Sequence, residues 1–148
     1  MKQNFDTLRR LSLSICSAMF FTLLKHPWLI LPSVKATLRC SVAAEAHFAD
    51  SHYGEGEANA YKHVLWNIFL ADFSRFWLKT PEKRIFWAKK ITDLHEQCFP
   101  NLPASQKMDL ENNELGRKIY LKHYKDVKKS KDWEFIALKY KNEFSRLT

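Results

Sequence analysis

With 148 residues, 46% of them apolar and 14% aromatic, the chain is long enough to bury a core and too apolar to be intrinsically disordered. A net charge of +8 reads first as a solvated helix surface and otherwise as a face for anionic partners, either anionic lipid or an acidic protein. Nucleic acid is the poorer fit, because no zinc-finger spacing or RNA-binding signature accompanies the charge. Three widely separated cysteines, Cys16, Cys40 and Cys98, match neither a disulfide framework nor a Cys-x-x-Cys site, so buried reduced thiols are expected.

Only three glycines interrupt the chain and no alternating run of strand length occurs. The expected fold class is all-α, a single compact bundle of about six helices. Residues 1–148 read as one helical domain, with its motifs in 25–122 and a basic C-terminal helix over 125–148. The first helix is expected over Phe5–Lys25, where Leu8, Leu11, Ile15, Met19 and Leu23 recur at helical spacing. A charged start followed by the apolar run 11–24 leaves three readings open: a core helix, a membrane-surface anchor, or a cleaved signal. That run is too short to span a bilayer, which needs about 20 apolar residues.

Pro27 and Pro32 are expected to close this helix, and Ser33 to cap a second one running to about Asp50. The glycines of Ser51–Asn59 mark a turn, and a third helix follows over about Ala58–Leu78. Thr80 and Pro81 then form the cap and first position of a fourth helix, to about Gln97. A proline-containing loop leads to a fifth helix over about Lys107–Tyr124, and a lysine-rich turn to the last, about Lys131–Phe144.

Three stretches carry polar residues where a core helix would not place them. Asn59, His63 and Asn67 stand four residues apart in the third helix, one above the other on a single face. His95 and Glu96 lie on the apolar side of the fourth. Asp109, Asn112, Asn113 and Gly116 share a face of the fifth, with Asp109 expected in the first turn, where the helix dipole favours a carboxylate. A mid-helix glycine such as Gly116 costs about 1 kcal/mol relative to alanine, so either another backbone or a ligand is expected to approach it closely.

In order and spacing these stretches resemble an uncharacterised bacterial all-α domain family. Its motifs are Asn-Ala-x-x-His-x-x-Trp-Asn, here Asn59–Asn67; His-Glu, here His95 and Glu96; and Met-Asp-Leu-x-Asn-Asn-x-x-Gly-Arg, here Met108–Arg117. The likeness covers about residues 25–120. It implies an all-α fold and secreted or toxin-like contexts, and supplies no established reaction. Two departures stand out: Lys62 occupies a position where the family usually has arginine, and Glu111 one where it often has histidine.

Two functional readings remain open. In the first, His63, His95, Glu96 and Asp109 are the catalytic groups of a hydrolase. These are residue types that ligate a divalent metal, whose bound water would lose its proton to a free carboxylate. In a metal-free variant, His63 is a general base oriented by Glu96 or Asp109. Asn59, Asn67, Asn112, Asn113 and Arg117 would bind substrate, and a phosphoester, phospholipid or other cell-envelope substrate suits the basic surface. The protein would then be a secreted or membrane-associated toxin-like effector. In the second reading the chain is a non-catalytic helical interaction module, whose polar ladder fixes helix packing while the basic C-terminal helix docks a partner.

Overall fold

A computed structural model describes residues 17–48, 56–129 and 131–146. Residues 17–25 are helical and form α1. They are followed by α2 (Pro27–His47), α3 (Glu57–Phe73), α4 (Pro81–Cys98), α5 (Pro103–His123) and α6 (Asp132–Lys139). A 3₁₀ turn, Lys141–Glu143, comes last. Among the described residues there is no strand, and the chain is an all-α bundle. No helix in this part is long and apolar enough to cross a membrane. Leu8, Leu11 and Ile15 lie outside the described residues. Met19 is half-buried, and Leu23 packs against the core.

α3 is the axis of the bundle, packed against α2, α4, α5 and α6. From Ala60 to Asp72 every residue of it except Lys62 is buried. Tyr61, Leu65, Ile68 and Phe69 fill the core with Trp133 of α6 and Tyr120 of α5, and one apolar cluster runs from Leu29 to Phe144. The axis meets α5 at Gly116. A Cβ there would lie 2.3 Å from the Val64 carbonyl oxygen and 3.0 Å from the Asn67 Cβ, so the close approach is of backbone to backbone.

Five expected boundaries differ. α2 begins at Pro27, and Pro32 lies inside it. Proline at the first helical position removes a donor that has no partner there, and Pro32 removes only one further helical hydrogen bond. Ser33 is therefore no cap: its hydroxyl accepts the Trp87 indole N–H at 3.1 Å and ties α2 to α4. α2 also ends earlier than expected, at His47. α3 stops at Phe73, where the turn 74–77 begins and the Ser74 hydroxyl donates to the Ala71 carbonyl at 2.9 Å. α5 starts at Pro103, which makes Asp109 its seventh residue and removes the first-turn dipole argument. The expected last helix is split into α6 and the 3₁₀ turn. The Thr80 cap stands, its hydroxyl accepting the Lys83 N–H at 3.4 Å.

Candidate metal centre between α3, α4 and α5

The polar ladder of α3 faces α4 and α5. There His63, Glu96 and Asp109, each only 5% exposed, bring one ligand atom apiece within 4.8 Å of one another. The imidazole Nε2 is 3.2 Å from Asp109 Oδ1, and Nδ1 is 3.7 Å from Glu96 Oε1. Asn59, one turn before His63, donates its side-chain N–H to Asp109 Oδ1 at 3.0 Å.

The hydrogen bonds around the trio fix which imidazole nitrogen carries the proton. Arg117, which can only donate, gives an N–H to Asn67 Oδ1 at 2.8 Å. The Asn67 amide nitrogen must therefore point the other way. It donates to Asn113 Oδ1 at 2.7 Å and to the His63 carbonyl at 3.1 Å. With its oxygen so oriented, Asn113 turns its own N–H toward Glu96 Oε1 at 3.3 Å. Asn113 Oδ1 also lies 3.1 Å from His63 Nδ1, so that nitrogen is the donor. Nε2 is left with its lone pair aimed at an Asp109 carboxyl oxygen.

Two acceptors at 3.2 Å repel unless a cation lies between them. A proton is one solution. Burial pushes the Asp109 carboxyl above its usual range, against the pull of the Asn59 hydrogen bond and the Lys62 charge. Burial, reinforced by Asp109, raises Glu96 to about 7. Burial, with Lys62 adding to it, lowers His63 to about 4, so at neutral pH the imidazole is uncharged and its contacts with the two carboxyls are not salt bridges.

A divalent metal is the other solution. Neutral imidazole and two carboxylates are a suitable donor set, and ligands about 2.1 Å from a tetrahedral centre stand roughly 3.4 Å apart. An imidazole that donates its remote N–H to a carbonyl is also the usual second-shell arrangement of a metal-binding histidine.

Not every expected site residue belongs here. His95 is half-buried and stands outside the trio. It meets the Trp66 ring edge-on at 4.9 Å and the Phe99 ring at 5.0 Å, and burial lowers its pKa. Asn112 faces elsewhere: its N–H donates to the Ser145 carbonyl at 2.9 Å, and its oxygen accepts the Ser145 N–H at 3.0 Å. It clamps the C-terminal segment. Arg117 and Asn67 hold the ladder from behind instead of facing the trio.

Two residues gain significance from the structure. The Thr92 hydroxyl, one turn before Glu96, sits 3.4 Å from Asn67 Oδ1 and donates to the Ala88 carbonyl at 3.0 Å. Lys62 is half-buried, and its charge acts on His63, Glu96 and Asp109. The i, i+4 spacing of Thr92 and Glu96 and the adjacency of Lys62 to His63 were the available signals.

Residues 20–144 match the domain of unknown function DUF6973, and the chain belongs to that family. No curated protein and no solved structure matches the chain.

Proposed function

We propose that the protein is a hydrolase that holds a divalent metal between His63, Glu96 and Asp109 and acts on a phosphoester, phospholipid or related cell-envelope substrate. The observation that carries this reading is the 3.2 Å meeting of His63 Nε2 with Asp109 Oδ1 when the other ring nitrogen is committed to Asn113. The metal would supply an activated water and Lewis-acid stabilisation of developing charge. Asn113 orients His63, and Asn59 holds Asp109 toward the imidazole. Glu96, raised to about 7 in the metal-free protein, would give up its proton to join the donor set, which ties metal binding to pH. Lys62, half-buried next to His63, would offer its ammonium to an anionic substrate. His95 and Asn112 are not assigned catalytic or substrate-binding roles in this reading.

The reading suits a bacterial, secreted or membrane-associated toxin-like effector. Part of the basic C-terminal segment is already engaged: Lys141 and Arg146 pair with Glu57 at 2.7 and 2.9 Å. Lys125, Lys128 and Lys129 stay exposed for an anionic lipid or acidic partner.

The alternative, a non-catalytic interaction module, draws on a specific observation too: the ladder amides satisfy one another, as a packing device would. Hydrolysis of a chromogenic phosphodiester and of phospholipid, assayed with Zn²⁺ or Mn²⁺ and after chelation, separates the two. Metal-dependent turnover that is lost in His63→Ala, in protein that remains folded, is the expected result. Absence of turnover on every phosphoester under all these conditions, together with a strongly destabilised His63→Ala, would leave the module.

A further inference from the structure

α2 is apolar on two opposite faces, and only one is used. Leu29, Ala36, Cys40 and Ala43 are buried against the bundle. On the other side Trp28, Leu31, Val34, Leu38 and Val42 are all exposed, Leu31 by 74%. At 100° per residue these five fall within an arc of about 120°. A helix apolar all round is ordinarily buried all round, so this face calls for a cover.

The turn after α3 extends the face. Phe76, 72% exposed, and Trp77 stand beside Leu31 and Pro32 around a cleft of about 370 Å³, with Lys35 and Arg75 also in its wall. Lys35 holds its ammonium 5.0 Å over the Phe73 ring, and Lys79 lies over the Phe76 ring at the same distance. The acid in the cleft wall, Asp72, is buried and already paired with Arg75 at 3.5 Å. What reaches solvent around the cleft is therefore apolar, aromatic and cationic; the α2 face carries one exposed acid, Glu45, near its C-terminal end.

From this geometry we infer that the α2 face and the 74–79 turn form the surface by which the protein lies on an anionic lipid bilayer, with an acyl chain or headgroup entering the cleft. Three properties argue for lipid over a protein partner. Trp28, Trp77 and Phe76 are residues that settle at the headgroup boundary. The lysines set their ammonium groups over aromatic rings at the edge of the face, which keeps positive charge beside the apolar surface where anionic headgroups would lie. The excess of cations on a shallow apolar face is the pattern of helices that lie in the interface plane of anionic membranes. No helix among the described residues is long and apolar enough to cross a bilayer. The inference is independent of the metal centre, because it uses the opposite side of α2 and the far end of α3.

The test is co-sedimentation of the full chain with vesicles of phosphatidylglycerol mixed into phosphatidylcholine, against phosphatidylcholine alone, at low and high salt. Wild type should bind the anionic vesicles and release in high salt. The double variant Leu31→Asp, Phe76→Asp should bind at least about tenfold more weakly. Lys35→Glu should weaken binding and blunt its salt dependence. All these positions are exposed, so each variant should keep the wild-type melting temperature, measured in parallel. Three results would overturn the inference. The double variant could bind as well as wild type; binding could vanish only when Lys128 and Lys129 are reversed; or light scattering could reveal a dimer that Leu31→Asp dissociates, making a second copy the cover.

Discussion

The two sides of α3 solve opposite problems within one helix. Tyr61, Leu65 and Phe69 face a core in which burial itself is favourable, at roughly 1.5–3 kcal/mol for each large side chain. Asn59, His63 and Asn67 face α4 and α5, where burial is unfavourable until every amide and carboxyl finds a partner. A protein needing only stability gains more by making both sides apolar, since buried polar networks are at best near neutral against well-packed hydrocarbon. The seam also leaves one contact unresolved, two acceptors facing across His63 and Asp109. The apolar side makes the fold, and in the function we propose the polar side is organised around a metal ion.

That division has consequences that differ by side. The largest effect should come where the two sides are held together. Gly116→Ala sets a methyl 2.3 Å from the Val64 carbonyl oxygen, and because backbone must move, the loss should be about 3 kcal/mol or more, with the metal site disrupted as well. Chemical denaturation reads it directly, and a variant of wild-type stability would mean that α3 and α5 are not in contact at this point.

Next in size, Leu65→Ala should cost about 2–5 kcal/mol yet leave metal affinity in the folded protein unchanged. Coupling of Leu65 to metal affinity would break the separation of the two sides.

Arg117→Met acts the other way round. It should cost less stability, because Arg117 is only half-buried, but frees the Asn67 amide to flip and lets His63 sample the other tautomer. Metal affinity should fall about 10–100-fold, the usual effect of losing such an outer partner. Nitrogen chemical shifts of the His63 ring in the metal-free protein should report Nδ1–H in wild type and a mixture in the variant. A wild-type ring protonated on Nε2 would refute the hydrogen-bond assignment.

The smallest effect is in the pH dependence. His63 is depressed to about 4, so the folded state resists its protonation, and stability falls as pH drops from its ordinary 6.5 toward 4. Glu96 is raised to about 7, so the folded state keeps its proton longer, and stability falls as pH rises from 4.5 through 7. The two slopes oppose each other in between. The metal-free protein should therefore be most stable in mildly acidic solution, and metal, which requires the ionised carboxylate, should move that optimum upward. Thermal melts across pH with and without Zn²⁺ check this, and an optimum unmoved by metal would count against Glu96 as a ligand.

Much of this was readable in the chain. The order of the helices, the core side of α3 and the inward-facing polar stripes that carry His63, Glu96 and Asp109 follow from periodicity, because residues four apart on amphipathic helices must share a face; their meeting rests on the packing of α3 against α4 and α5. Gly116 was legible for the same reason, and the structure settles that a backbone, not a ligand, occupies the space. Proline was harder to read. Pro27, Pro32 and Pro103 can each mark the end of a helix or its start, and only packing decided that α2 and α5 begin at the first and last of them. The contact of Asn112 was not legible, because its partner, the Ser145 backbone, lies 33 residues away. A helical face shows that a side chain is turned inward without showing what it meets. The His63 tautomer was out of reach for a deeper reason: it depends on a chain of amide orientations that begins at Arg117, and no spacing rule encodes an orientation.

The most direct test of the cation-centred account is calorimetric titration of Zn²⁺ and Mn²⁺ into wild type and Asp109→Asn at neutral pH, in buffers of different ionisation enthalpy. The account predicts one bound metal per wild-type chain, with proton release because Glu96, raised to about 7, is partly protonated in the metal-free state. Asp109→Asn should bind at least about tenfold more weakly at an unchanged fold. A wild-type protein that binds neither metal, or binds one identically after Asp109→Asn, would contradict it.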